Sequence, residues 1–423
     1  MATQTLTRPV ERSSVYYGWV IWAVATLGFI ATSPGQAFSI SLFNNQFITE
    51  FGLSRTAVST LFGVGTFVGA LSLTWVGRKI DLHGNRKVGV VIGIAFTVVL
   101  ILMSVFITGP FTLLIAFVAI RFLGQGALGL TSTTAISQWW RRKRAWTMSL
   151  ALVMFALFQY KYPTVVQSLI ESYGWRSTWI LLGLFVGVTI IPAWWILMRD
   201  RPEDHGLLPD GAVMTDIDET TGPDIEDHWT LKEVMRSSVF WLFIGGRMVS
   251  TSWGSGLIFH QVSIFASHNH STATVASYYG LMSLVNAGAT LLISQANNRL
   301  RPGWLMSIQL TGLVASLVLA TTLQTQPLVT ALALAFGVVC GLGATFDATV
   351  WADLFGRQHI GAIRGFVTTA LIIGSAVGPV IFGFCYDQLG SYNAVLWIGA
   401  GLAIFPLVGC LFANKPRRKV EFA

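Results

Sequence analysis

Residues 77–87 read Gly77-Arg78-Lys79-Ile80-Asp81-Leu82-His83-Gly84-Asn85-Arg86-Lys87, and residues 88–107 follow with no charged side chain at all. That basic knot set against a long apolar run decides the fold. An α-helix rises about 1.5 Å per residue, so roughly 20 apolar residues carry it across a hydrocarbon core. Membrane strands would instead show segments of about 10 residues with alternating polarity, and none is present. The rest of the 423-residue chain repeats the alternation of knots and runs, with 53% hydrophobic and 11% charged residues. A soluble domain carries about 25% charged residues. The sequence therefore specifies an all-α membrane protein.

Spans are expected at 17–40, 56–76, 88–108, 111–137, 147–169, 177–198, 239–266, 275–296, 303–324, 328–352, 365–386 and 392–413. Gly109-Pro110, Gly174-Trp175, Gln326-Pro327 and Leu389-Gly390 punctuate the runs. The one long interruption, rich in Asp, Glu, Gly and Pro, divides the chain. The expected parts are an N-terminal tail 1–16, a six-helix bundle 17–198, a central loop 199–238, a second six-helix bundle 239–413 and a tail 414–423. Under this assignment the termini and every second loop hold 22 of the 27 basic residues, and the opposite side holds Arg55 and Arg176. The positive-inside rule then places both termini and the central loop in the cytoplasm of a cell with the chain in its cytoplasmic (inner) membrane. The first 15 residues are polar, and no cleaved leader is expected.

The net charge of +8 does not point to nucleic acid, because the basic residues sit in short clusters between apolar runs. Cys340, Cys385 and Cys410 lie inside apolar runs without ligand spacing and read as small packing residues. No phosphate-loop, metal-ligand or nucleophile–base pattern appears, so neither an enzyme nor a cofactor is expected. The fifth run ends at Tyr173-Gly174-Trp175-Arg176 after Pro163. The eleventh carries Gly374-Ser375-Ala376-Val377-Gly378-Pro379 and ends at Asp387-Gln388-Leu389-Gly390. Two halves that echo each other suit a carrier rocking around a midplane site.

The knot at 77–87 resembles the G-x-x-x-D-x-x-G-x-R-K signature of the major facilitator superfamily, between its second and third spans. Arg121-Phe122-Leu123-Gly124-Gln125-Gly126 looks like that family's fourth-helix R-x-x-x-Q-G motif. Tyr16-Tyr17-Gly18-Trp19-Val20, Glu50-Phe51-Gly52-Leu53-Ser54-Arg55, the run from Arg199 to Gly206 and that from Phe355 to Gly365 are similar to the bacterial oxalate/formate antiporter and monocarboxylate transporter branch. The resemblance implies 12 transmembrane helices in two pseudo-symmetric six-helix bundles, with alternating-access transport. The chain departs from that branch in several places. Gln159-Tyr160-Lys161-Tyr162-Pro163 replaces the fifth-helix G-x-x-x-G-P pattern, the eighth span has no Asp or Arg, and the eleventh has no Lys.

Topology leaves three cations unexplained: Arg121, Lys161 and Arg247 lie inside apolar runs, against one clear intramembrane acid, Asp347. A charge at mid-membrane costs at least about 2.5–3.5 kcal/mol, so such residues normally face a bundle interior or a wet cavity. The excess positive charge points to an organic or small inorganic anion, with a small organic anion such as a mono- or dicarboxylate the preferred cargo, bound by Arg121, Lys161 and Arg247 with Gln36, Gln159, Tyr160 and Tyr162 lining the path. Arg247 pairing with Asp347 is the structural alternative. Phe38, Gln261, Asn286 and Trp351 are further lining candidates. Asp81, Arg86, Asp347 and His260 are the candidate coupling or gating residues. The expected partners are a small anionic substrate, H+ and the lipid bilayer, with the monomer as functional unit. A carrier of other cargo, such as drug efflux, with structural basic residues, is the competing reading, and a transport-dead sensor is another.

Overall fold

The computed structural model describes residues 16–140, 143–211, 229–296, 301–355 and 360–413. Among these, ten helical segments are long and apolar enough to cross a membrane. One of them, Trp146–Leu197, is broken at Gly174, whose φ of 78° ends one helix and starts the next, and so supplies two spans. The 30-residue helix Ser238–Ser267 brings the number to twelve. We label them α1 (Gly18–Phe51), α2 (Arg55–Ile80), α3 (Asn85–Phe106), α4 (Pro110–Trp139), α5 and α6 (the parts of Arg144–Leu197 before and after Gly174), α7 (Ser238–Ser267), α8 (Thr272–Ala296), α9 (Pro302–Ala320), α10 (Gln326–Phe355), α11 (Ile360–Leu389) and α12 (Asn393–Leu411).

Two spans differ from the sequence expectation. The first was expected at 17–40 but runs on to Phe51, because Ser33-Pro34-Gly35 forms a 3-10 turn that bends the helix without ending it. Pro34 cannot donate into the ladder, and the break exposes backbone carbonyls to other partners. In α4, residues Arg121–Leu128 form a π-helix, which the apolar pattern does not reveal. Isolated π segments inside α-helices occur mostly at functional sites.

Glycines set which helices touch, since lipid supplies no hydrophobic drive and close packing must. In the first half, α3 meets α6 where a Cβ on Gly89 would run into the Trp194 indole. α2 meets α4 where one on Gly65 would press on Phe117. The second half repeats both pairings six helices later: Gly303 of α9 lies against the Cys410 carbonyl of α12, and Gly337 and Gly341 of α10 lie against α8. The halves join where α5 packs on α8, with Gly280 under Tyr160, and where α2 packs on α11, with Gly63 beside the Ala376 carbonyl. Before α1, the Tyr16 hydroxyl reaches the carbonyls of Trp139 and Leu208, and burial pushes its pKa up to about 12.

Candidate functional site

At the end of the bundle away from the termini, α1 and α2 are bound to α7 and α11. The Asn44 amide donates to the Phe259 carbonyl at 3.0 Å, and Arg55 Nε donates to Ser263 Oγ at 2.9 Å. The Thr56 amide donates to Asp387 at 2.8 Å, and the Arg55 guanidinium stacks over Tyr386. His260, buried at 3% exposure, sits at the centre of this layer. Its Nε2 is 2.9 Å from the Pro379 carbonyl and 3.0 Å from Ser59 Oγ, whose own hydrogen goes to the Arg55 carbonyl. Both neighbours accept, so Nε2 carries the hydrogen. Nδ1 lies 3.2 Å from the Tyr392 hydroxyl oxygen, whose own hydrogen goes to Ser263 Oγ at 3.0 Å. Only about 10 Å³ of space remains between these walls.

Beyond this closed layer, towards the termini, Arg121 is 6% exposed. Its Nε donates to Thr66 Oγ1 at 2.9 Å, and one Nη donates to the Gly35 carbonyl freed by the break in α1, at 3.0 Å. Its face lies over the Phe62 ring at 4.8 Å. A guanidinium has five N–H donors, so these two bonds leave three unspent. Neither ion pair among the described residues involves Arg121. It forms part of the wall of a cavity of about 350 Å³ with Thr66, Gln125, Thr133 and Ser375.

A second cavity of about 320 Å³ shares Gln125, Ile372 and Ser375 with the first and adds Thr251, Asp347, Trp351 and Thr368. Arg247 holds Asp347 through two parallel bonds, Nε to Oδ1 at 2.9 Å and Nη2 to Oδ2 at 2.6 Å. This fork geometry is the strong form of an ion pair. The arginine side chain is 9% exposed and the aspartate 30%, so the pair shows the cavity its acceptor end.

The structure does not bring Lys161 to this site. Lys161 shares an exposed face of α5 with Leu157, Thr164 and Val165, and its ammonium lies 4.9 Å from the neighbouring Tyr160 ring. Tyr162, one residue on, points the other way: it is 5% exposed and hydrogen-bonded to Ser39 at 2.9 Å. Gln159 is half-buried on α5, and Gln36 donates to Thr32 Oγ1 at 3.1 Å within α1. Thr66, Gln125, Thr251 and Ser375 were not singled out from sequence. Two of them sit in motifs: Gln125 four residues after Arg121, and Ser375 in the Gly374–Pro379 run of the eleventh span.

The sequence pattern described as Major Facilitator Superfamily matches residues 20–348. The chain belongs to the major facilitator superfamily. It is a multi-pass membrane protein and a secondary transporter, not an enzyme. It is 21% identical to the probable sulfoacetate transporter of Cupriavidus necator, over 86% of each chain. It is also 21% identical to monocarboxylate transporter 12 of Rattus norvegicus, over 95% of this chain and 86% of that one. A bacterial homologue of the human lysosomal transporter Spinster, solved in an inward-facing and unoccupied conformation, shares the fold with a TM-score of 0.59 at 16% identity, covering 94% of both chains.

The geometry also gives the superfamily signature a physical role. Gly84 has a φ of 82° and sits against the Asp200 carboxylate, which accepts from the Arg86 amide at 2.8 Å and so caps the start of α3. The Arg86 guanidinium donates to the Trp195 carbonyl near the end of α6 and stacks over the Trp195 ring at 5.2 Å. Arg86 thus clamps α3 to α6 within one half. Gly77 has open space around it among the described residues. Asp81 lies by its backbone on the helical stretch Leu73–His83 that carries α2 one turn further, and its side chain is outside the described residues. On the opposite side, Glu50 accepts from Trp175 Nε1 at 2.7 Å and from Arg176 at 2.6 Å, so two further motifs meet in one contact.

Proposed function

We propose that this chain is an alternating-access carrier of small organic anions, moving them by anion exchange or with H+, with Arg121 as the principal anion-binding group. One observation carries the reading: a buried guanidinium that spends two of its five donors faces a cavity between the halves and has no acidic partner among the described residues. A buried cation without a counter-charge is costly, and a carboxylate entering the cavity supplies both the charge and the fork of acceptors that arginine matches best. The names of the two relatives, a sulfoacetate and a monocarboxylate transporter, agree with that class of cargo.

Arg247 and Asp347 form the second polar centre of the path, where Arg247 acts through its pair with Asp347. His260 belongs to the gate on the far side. With both termini and the 199–238 segment placed in the cytoplasm by the charge bias, the closed layer faces outward and the cavities belong to the inward-open part of the cycle. The domain limits 17–198 and 239–413 are the two rocking bodies in this scheme, and the membrane is the cytoplasmic one. Purified protein in proteoliposomes, loaded with unlabelled carboxylates and given labelled carboxylate outside, should show counterflow that Arg121→Gln abolishes. Counterflow that survives in Arg121→Gln, or cationic dye transport with no carboxylate flux, would overturn the assignment.

A further inference from the structure

On the outer face of the second half, α9, α10 and α12 form a groove of about 520 Å³ that shares no residue with the cavities at Arg121 and Asp347. Trp304, Ile308, Leu334 and Leu411 wall it, large apolar side chains that are all exposed, so it opens towards lipid. Its two hydroxyls are already spent: Ser307 donates to the Leu407 carbonyl at 3.1 Å, and Thr311 donates to the Ser307 carbonyl at 2.8 Å. A guest therefore meets an apolar wall. Small residues make the room, with Gly312 letting α9 close onto Val339 of α10 beside Ala335.

The groove has the length of one leaflet. It begins at Trp304, in the first turn of α9 on the side of the termini, and reaches Gly312, ten residues after Pro302. At 1.5 Å per residue that is about 15 Å, half of a hydrocarbon core of about 30 Å. Leu334 and Val338, entering from the opposite side in α10, line its deep end. A chain seated here touches protein on three sides, and the many small dispersion contacts add up; on a convex helix face it would touch one. The mouth is basic. Arg301 is exposed just before α9, and the sequence places Lys415, Arg417, Arg418 and Lys419 just after α12. Trp304 beside Arg301 is the kind of amphipathic ring that sits at headgroup level. Among the described residues no acid lines the groove.

We infer that this groove binds one anionic phospholipid from the leaflet on the side of the termini, with an acyl chain lying along α9 between α10 and α12 and the headgroup at Arg301. The guanidinium fork matches the phosphate oxygens, and the basic residues around the mouth favour a headgroup with net negative charge over a zwitterion. The lipid joins three helices of the second half and acts on the stability of that half.

The full chain in detergent can be titrated with phosphatidylglycerol and with phosphatidylcholine of the same chains, counting bound lipid by native mass spectrometry and following Tm in parallel. Wild type is expected to keep one phosphatidylglycerol in preference to phosphatidylcholine and to gain Tm with it. Arg301→Gln should weaken phosphatidylglycerol binding about fivefold, the factor that one Lys or Arg near an anionic headgroup supplies, and leave phosphatidylcholine unchanged. Thr311→Trp and Ala335→Phe fill the groove from two different helices, so each should abolish retention of either lipid and the gain in Tm. Val188→Phe, on an exposed face of α6, should change neither. The two filling variants keep the test decisive if one of them fails to fold. Unchanged retention in a folded filling variant would overturn the site. Equal retention of the two lipids, insensitive to Arg301→Gln, would overturn the anionic assignment. A wild-type dimer that Thr311→Trp dissociates would overturn the lipid reading and give the groove to a second copy of the chain.

Discussion

Replacing Arg121 in two ways separates its charge from its shape. Arg121→Lys keeps the charge. However, one ammonium on a flexible stem cannot satisfy Thr66 Oγ1, the Gly35 carbonyl and a substrate carboxylate in the geometry that the guanidinium holds at 2.9 and 3.0 Å. Losing one charge-assisted hydrogen bond to the bound anion costs about 1.5–3 kcal/mol, which is roughly a 10- to 150-fold rise in KM. Arg121→Gln can still donate to the Gly35 carbonyl but removes the charge. At a separation near 4 Å and an effective dielectric near 20, that adds about 4 kcal/mol, or roughly a thousandfold, so uptake at submillimolar substrate should vanish. The assay is initial-rate counterflow in proteoliposomes against substrate concentration, with size-exclusion profiles confirming that each variant is folded. The ordering wild type, Lys, Gln is the diagnostic. Two folded variants with KM values within threefold of wild type would refute the idea that Arg121 faces the substrate.

Other outcomes follow from the same structure. Asp347→Ala leaves Arg247 buried and unpaired and should cost about 3–5 kcal/mol, whereas the double variant Arg247→Met/Asp347→Leu should regain most of it; thermal unfolding in detergent reads both. Ser59→Ala with Asn44→Ala removes two bonds across the closed layer, so spin labels at Ile48 and Val262 should report a larger population with that side open, and unchanged distances would argue against a latch. Gly84→Ala forces a Cβ into a backbone at φ of 82° and against Asp200, so a loss of about 1–2 kcal/mol is expected from backbone strain alone, read as a lowered Tm. Tyr16→Phe should matter most below pH 10: the native phenol titrates near 12, above its ordinary value, so its stabilising contribution is complete below the unfolded pKa of about 10 and fades as pH rises towards 12. A melting curve that is the same for both proteins from pH 8 to 11 would remove that contribution.

The sequence reveals most of the fold because charge cannot hide in a membrane. Basic knots such as 77–87 mark the loops, and glycine and proline mark the breaks. The pairing of Arg247 with Asp347 was also within reach, since Arg247 lies near the start of its helix and Asp347 near the end of its own, which puts both towards the same side of the bundle. Which way a residue faces was much harder to read. In water, a buried face is apolar and an exposed one polar, and the period shows through. Lipid tails are as apolar as a protein core, so α5 is hydrophobic nearly all round and nothing in Gln159-Tyr160-Lys161-Tyr162 tells which side is inward. Tyr162 proves buried and Lys161 exposed, though they adjoin. Arg121 gave the right kind of residue but not its surroundings, because Thr66 and Phe62 come from another helix and Gly35 from the Ser33-Pro34-Gly35 bend, which lies inside the span expected at 17–40. Thr251 was silent for a simpler reason: isolated hydroxyls are common in membrane helices and usually bond back to their own backbone.

The π-helical stretch Arg121–Leu128 has a consequence for how this chain can change over time. Deleting one residue from an α-helix turns everything beyond it by about 100°, which in a packed bundle misplaces every contact downstream. A π segment already holds a residue in excess of what an α-helix needs over the same rise. Removing one residue between 121 and 128 would let the segment close into ordinary α-helix while the flanks before Ile120 and after Gly129 keep their faces. The fourth helix therefore carries a spare residue in its length, placed beside the buried arginine, where the cavity wall can be redrawn by deletion as well as by substitution.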